Sequence, residues 1–290
     1  MKTVAYYNGT ITEIDSMNIP MNDRSVFFGD AVYDASMAAN HILFEPDYHL
    51  DRFFSSLEKV KMKIDFTKDE LLKLIQSCIE KADSDGTLFV YWQASRGTSQ
   101  RCFTFPNQNA NLMIYIYEAS LADLRMPWKV ITKEDTRFLH CDIKTTDLLP
   151  AVIASEEAKQ AGCQEVIFHR GNRVTECAHN NVHILKDGKF ITPPLDNLIL
   201  PGTCRRHFLE ICKRIGVPFE ERPFTLDELF AADEVIITCS STYGARVSHI
   251  DGKEVGGKDA ELLWKLQAEC VSDFEKETGF KTNILPDRPF

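Results

Sequence analysis

Val182-His183-Ile184-Leu185-Lys186-Asp187-Gly188-Lys189-Phe190-Ile191 reads as two strand-sized runs joined by a tight turn at Lys186-Asp187-Gly188. Just upstream, Glu165–His169 is another strand-like run, and before it Pro150–Gly162 reads as a helix. Pro150 suits that helix's first turn and Gly162 its C-terminal cap. Downstream, a helix from about Cys204 to Ile215 stops at Gly216, and Thr225-Leu226-Asp227-Glu228 caps a shorter one. Glu234–Cys239 then forms a strand that runs into Ser240-Ser241-Thr242, and a final helix covers roughly Asp259–Glu277. Trp128–Thr132 opens this half as a strand, followed by an irregular segment through Lys144.

Toward the N-terminus, two strand-like runs flank Asn8-Gly9, a two-residue hairpin signal. Leu50, Phe53, Phe54, Leu57 and Val60 recur at helical spacing within Asp47–Lys63. Thr67-Lys68-Asp69-Glu70 is a capping box for a second helix that carries Leu71, Leu72, Leu74, Ile75 and Ile79. Two β-rich runs follow, Leu88–Ala94 and Leu112–Tyr117, and Glu118–Pro127 is the candidate linker. The pattern implies a mixed α/β (α+β) protein in two domains: a small N-terminal α/β domain over 1–120 and a larger, β-rich domain with helices over 121–290.

Composition narrows the class of protein. The 290 residues are 44% hydrophobic and 26% charged, enough for one large core or two smaller ones. Forty-three acidic against 33 basic residues give a net charge of -10, with none of the clustered basic excess of a nucleic-acid surface. The apolar runs are strand-sized, far below the roughly 20 residues of a membrane span. The first residues turn polar too early for a signal-peptide core. Nine scattered cysteines, odd in number and without a CxxC pair, read as reduced thiols of a cytoplasmic protein.

The residues offer several chemistries. No P-loop and no GxGxxG after a strand is present. Pro201-Gly202-Thr203 precedes a helix whose N–H groups and dipole suit an anion, and Ser240-Ser241-Thr242 offers hydroxyls at a strand end; a helix cap and a polar turn are the plain alternatives. If Glu176–His183 were extended, Cys177, His179 and His183 would share one face and could supply three ligands of an open zinc site, the alternative being a hairpin with partly buried imidazoles. No GxSxG supports a serine nucleophile. Lys144 lies in Phe138-Leu139-His140-Cys141-Asp142-Ile143-Lys144-Thr145-Thr146-Asp147-Leu148-Leu149, where apolar flanks could desolvate its amine and make it a nucleophile toward an aldehyde.

Seven motifs stand in register along nearly the whole chain: Asp23-Arg24 with Phe28-Gly29-Asp30-Ala31-Val32-Tyr33, His49-Leu50-Asp51-Arg52, Arg96-Gly97-Thr98-Ser99-Gln100-Arg101, Cys141-Asp142-Ile143-Lys144, Val174-Thr175-Glu176, Leu200-Pro201-Gly202-Thr203 and Thr238-Cys239-Ser240-Ser241. With them the chain resembles the fold type IV pyridoxal-phosphate enzymes, most closely the bacterial D-amino acid aminotransferases. The resemblance implies ping-pong transamination between a D-amino acid and a 2-oxo acid, with pyridoxal 5'-phosphate as cofactor. It gives Lys144 the Schiff-base lysine's role and the transfer of the substrate Cα proton. It gives Arg52, the amides of Thr203 and Cys204, and Ser240 with Ser241 the cofactor phosphate. Glu176 would face the pyridine nitrogen, and Leu200 would pack on the ring. Tyr33 and Arg101 would hold the substrate carboxylate, Arg101 arriving from the partner of a homodimer whose active sites lie at the subunit interface.

The sequence departs from that pattern at the substrate end. Phe103 stands where the D-amino acid enzymes carry a histidine, so one donor to the carboxylate is lost, worth about 1.5–3 kcal/mol. Cys177-Ala178-His179-Asn180 replaces a serine run, and His179 could restore polarity there; Asp147 replaces an asparagine. Within the fold, a branched-chain L-amino acid aminotransferase and an aminodeoxychorismate lyase are the alternatives. Outside it stand a metal-dependent hydrolase built on Cys177, His179 and His183, and a non-catalytic cofactor-binding protein.

Overall fold

The Asn8-Gly9 hairpin forms as its residues require. Both take positive φ, 42° and 95°, and join β1 (Thr3–Tyr7) to β2 (Thr10–Thr12). The structure, a computed structural model, describes residues 1–289. The chain clusters into two units. The first holds Met1–Ser120 together with Ile143–Asp147 and Lys276–Phe280, two short segments that the sequence division leaves with residues 121–290.

The first unit contains α1 (Arg24–Phe28), β3 (Ala31–Ala39), β4 (Ile42–Leu43), α2 (Pro46–Lys59), α3 (Lys68–Ile79), β5 (Thr87–Ser95) and β6 (Asn111–Glu118). Its six strands run β2-β1-β6-β5-β3-β4, all neighbours antiparallel. Strand alternation turns Leu88, Val90, Trp92 and Ala94 of β5 and Leu112, Ile114 and Ile116 of β6 to one face. Phe53 and Leu57 of α2 and Leu71, Ile75 and Ile79 of α3 share that core. The α3 capping box closes as expected, Thr67 and Glu70 each accepting from the other's backbone N–H. Helix α2 stops before the expected Lys63. Lys61 takes φ 53° and the Met62 N–H donates back to the Leu57 carbonyl at 2.8 Å, a left-handed closure.

The second unit holds Leu121–Asp142, Leu148–Glu275 and the segment from Lys281 on. Its elements are β7 (Trp128–Glu134), α4 (Leu149–Gln160), β8 (Glu165–Arg170), β9 (Arg173–Cys177), β10 (Asn181–Lys186), β11 (Lys189–Thr192), α5 (Thr203–Ile215), β12 (Phe219–Glu221), α6 (Leu226–Ala231), β13 (Glu234–Cys239), β14 (Thr242–Ile250), β15 (Lys253–Glu254) and α7 (Ala260–Thr278), whose last residues join the first unit. The sheet runs β12-β11-β10-β13-β14-β7-β8-β9, with β15 on β14. Val130, Ile167, Val182, Val235, Ile237 and Val247 lie at its centre. Residues 176–183 are not one extended strand: the Cys177 N–H donates to the Asn180 carbonyl at 2.8 Å, and this turn separates β9 from β10. Among the described residues no helix is long and apolar enough to cross a membrane.

Candidate active site

In the first unit, Lys144 is held by its backbone. The Tyr33 N–H donates to the Lys144 carbonyl at 2.9 Å, and Thr145 bridges to Val32, so the segment Ile143–Asp147 runs beside the start of β3. The Lys144 N–H in turn donates to Ser56 Oγ on α2 at 3.3 Å. The side chain is thereby directed over Tyr33, with Nζ 4.4 Å from the ring centroid, and Tyr33 stacks on Tyr91 at 5.1 Å.

Arg52 lies one helical turn from His49 on α2. Its Nε and Nη2 donate to the two carboxylate oxygens of Asp34 on β3, at 2.8 and 2.7 Å. His49 Nδ1 is 2.7 Å from Asp34 Oδ1, which also accepts from the Ala35 N–H at 2.8 Å. Burial alone would raise the Asp34 carboxyl, but the Arg52 guanidinium and His49 outweigh it and hold the group well below the usual carboxylate range. Burial pushes the His49 imidazole down, against the pull of Asp34.

The second unit collects another group. Glu176, on β9, is 5% exposed. Its Oε1 accepts from Arg137 Nη1 at 2.6 Å, and its Oε2 from Asn181 Nδ2 at 3.0 Å and from the Leu200 N–H at 2.9 Å. Arg137 is gripped from its other side by Asp135, which also accepts from Thr175 Oγ1. Burial pushes Glu176 up to about 7 in spite of Arg137.

Asn181 links Glu176 to the start of α5. It donates to the Leu200 carbonyl at 3.1 Å, and its Oδ1 would lie only 1.8 Å from a Cβ placed on Gly202. Gly202 caps α5 with no side-chain hydrogen bond to the first turn, where Thr203 and Cys204 are buried. Ser240 and Ser241 form the half-buried turn between β13 and β14, where Ser241 Oγ is 3.4 Å from Cys239 Sγ.

Residues 31–250 match the family described as Amino-transferase class IV. The chain belongs to the class IV aminotransferases. This aminotransferase is 33% identical over 279 residues to the D-alanine aminotransferase of Listeria monocytogenes, covering 94% of this chain and 96% of that one. It is 35% identical over 257 residues to that of Staphylococcus epidermidis, covering 87% and 91%. Among solved structures, the branched-chain aminotransferase of Thermoproteus uzoniensis with norvaline superposes with a TM-score of 0.86 at 21% identity, over 95% of this chain and 96% of that one. The branched-chain amino acid aminotransferase of Escherichia coli superposes with a TM-score of 0.85 at 19% identity, over 99% and 97%. At such identities the likeness establishes the type IV fold and nothing about substrate.

The remaining sequence candidates fall elsewhere in the enzyme. Arg101 is exposed, its guanidinium carbon 5.1 Å from the Phe28 ring and 5.4 Å from that of Phe103, which is 80% exposed. His179 is largely exposed and pairs through Nδ1 with the buried Glu165 at 3.0 Å. The zinc arrangement does not form. His183 is buried with one ring nitrogen 2.9 Å from Thr192 Oγ1 and the other 2.8 Å from Thr238 Oγ1, while His179 sits within the turn that Cys177 and Asn180 close. Among the described residues no group of three or more metal-ligating side chains gathers.

Asp34, His49, Asn181 and Arg137 are not among the sequence candidates. For His49, Arg52 and Ser56 a signal exists, because positions i, i+3 and i+7 fall on one helix face. For Asp34, Asn181 and Arg137 there is none short of the fold.

Proposed function

We propose that this aminotransferase moves the amino group of a D-amino acid to a 2-oxo acid with pyridoxal 5'-phosphate, as a cytoplasmic homodimer. The observation that carries the reading is the buried Glu176, held by Arg137, Asn181 and the Leu200 N–H beside the start of a helix whose first turn has no side-chain cap. These residues fit the cofactor. Burial pushes this carboxyl up to about 7, and a cationic ring nitrogen placed beside it would favour its carboxylate form. Gly202 leaves room for the Asn181 amide against the start of α5, and the N–H groups of Thr203 and Cys204 at that helix start suit phosphate oxygens. The names of the Listeria and Staphylococcus relatives support the D-amino acid substrate.

Pyridoxal phosphate supplies, when bound, an aldehyde that takes up the amino group and a ring that accepts the electron pair left on the substrate carbon. Everything else falls to the protein. Lys144 would hold the cofactor through its amine and, once released by the substrate, would take the Cα proton at Nζ and return it; only a neutral amine does either. The backbone bonds to Tyr33 and Ser56 fix where that nitrogen sits. Arg52, its Nε–Nη2 edge held by Asp34, would contribute the far side of its guanidinium to the phosphate, with Ser240 and Ser241 offering hydroxyls. Glu176 would face the ring nitrogen and keep it protonated, and Leu200 would offer an apolar side chain to the ring. Tyr33 and the partner subunit's Arg101 hold the substrate carboxylate, which decides the Cα face that Lys144 meets. Phe103 contributes no donor there, and His179 adds polarity.

The test is the absorbance of the reconstituted enzyme on adding D-alanine and then L-alanine. Bleaching of the visible cofactor band by the D enantiomer alone, with pyruvate released, is the expected result. Bleaching by the L enantiomer alone transfers the reading to an L-specific transaminase of the same fold. A protein that takes up no cofactor overturns the reading.

A further inference from the structure

Asp34 has no exposed side-chain surface. It stands on β3 directly opposite Trp92 of β5 in the strand register, under α2. A carboxylate in that position is costly unless its charge is answered, and an apolar side chain of similar size would suit the core better. The answer comes from α2, where Arg52 and His49 supply three contacts to the two oxygens, while the Ala35 N–H supplies a fourth. Both oxygens grip the Nε–Nη2 edge of the guanidinium, so the fork cannot turn about its own axis without breaking two bonds. His49 and the Ala35 amide keep the carboxylate itself from turning.

We propose that Asp34, steadied by His49, is a positioning residue for the cofactor's phosphate: it holds the Arg52 fork in a fixed plane and so makes the enzyme prefer phosphorylated over unphosphorylated pyridoxal. The inference rests on the reading above, in which Arg52 meets the phosphate. Two effects of Asp34 oppose each other. As a bare negative charge it repels a phosphate, and its removal would tighten binding. As a clamp it keeps Arg52 ready, and its removal would loosen binding, because the freed side chain must be ordered again each time the ligand arrives. The bidentate geometry favours the clamp.

The full chain, freed of cofactor, is titrated with pyridoxal 5'-phosphate and separately with pyridoxal, following tryptophan fluorescence. The variants are Asp34→Asn, Arg52→Lys, Arg52→Ala and Asp34→Asn combined with Arg52→Ala, each checked for folding by circular dichroism. In Asp34→Asn, affinity for the phosphorylated ligand is expected to fall about tenfold while that for pyridoxal stays within about twofold, as for loss of one charge-assisted contact. Arg52→Lys, which keeps the charge without the fork, is expected to lower the same ratio. Asp34→Asn is expected to change nothing further once Arg52 is alanine.

An unchanged or improved ratio in Asp34→Asn overturns the proposal, as does an equal loss of both ligands. If Asp34→Asn does not fold, Arg52→Lys decides: an unchanged ratio there shows that the fork's orientation is irrelevant. If Arg52→Ala itself leaves the ratio unchanged, the phosphate role of Arg52 fails, and that failure is distinct from a failure of Asp34 alone.

Discussion

Replacing Gly202 by alanine tests how tightly the Glu176 group is tied to the start of α5. The added Cβ would lie 1.8 Å from Asn181 Oδ1, whereas real Cβ contacts essentially never fall under 3.0 Å, so the amide must retreat by at least 1.2 Å. Asn181 Nδ2 moves with it. Its bonds to Glu176 Oε2 at 3.0 Å and to the Leu200 carbonyl at 3.1 Å cannot survive such a shift. A hydrogen bond to a charged acceptor is worth about 1.5–3 kcal/mol and a neutral one about 0.5–1.5 kcal/mol, so a loss of about 2–4.5 kcal/mol is expected. Equilibrium urea unfolding of the cofactor-free protein measures it. The same substitution in an Asn181→Ala background, where the colliding amide is gone, is expected to cost under about 0.5 kcal/mol more than Asn181→Ala alone. A Gly202→Ala protein as stable as the parent refutes the reasoning, and so does an equal cost in both backgrounds, because either result means that Asn181 does not bridge these elements.

Lys144→Ala is expected to abolish transamination yet fold normally, since the contacts to Ser56 and Tyr33 use the backbone of residue 144; near-normal turnover would sink the role given to this amine. Glu176 carries a pH signature in the cofactor-free protein. Burial raises its folded pKa to about 7 from the ordinary 4.5, so the native state is spared the cost of a buried carboxylate in full below about pH 4.5, takes up a proton on folding between about 4.5 and 7, and loses that advantage as the pH rises through 7. Relative to Glu176→Gln, which does not titrate, the parent should therefore lose up to about 3 kcal/mol between about pH 4.5 and 8, and parallel stability curves would contradict the burial argument. Phe103→His is expected to lower KM for D-alanine about tenfold with kcat little changed, as a donor to the substrate carboxylate is restored; an unaltered KM would remove Phe103 from the substrate site.

Local rules made much of the fold legible. The hairpins at Asn8-Gly9 and Asp187-Gly188 and the caps at Thr67 and Thr225 depend on residues within a few positions of one another, and all four form. The strands β3 and β14, which lie inside the two sheets, are not legible in the sequence. Ala31–Ala39 is rich in alanine and buried on almost every residue, so it shows no alternation; its extended state comes from nine register pairs with β5. Of Thr242–Ile250 the sequence reading covers only Thr242, at the end of a polar turn; pairing with β13 and β7 makes the whole stretch a strand.

The same division runs through the site. Lys144, Arg52 and Glu176 stand out in the sequence because they lie in motifs that stand in register over nearly the whole chain, and the task proposed for each is one that a single residue type does best. Asp34, Asn181 and Arg137 have no such mark, since in one dimension a buried, fully bonded polar residue looks the same as a solvated one. Conversely, Cys177, His179 and His183 look like ligands until the chain turns at 177–180, leaving His179 exposed on the turn and paired with Glu165, and two threonines take both nitrogens of His183. The sequence alone determined the hairpins and caps and singled out Lys144 and the start of α5 as candidates, because these depend on residue chemistry and short-range backbone geometry. Tertiary structure alone decided which strands are central and which carboxylates are buried and gripped by arginine, because strand pairing and desolvation are properties of neighbours distant along the chain.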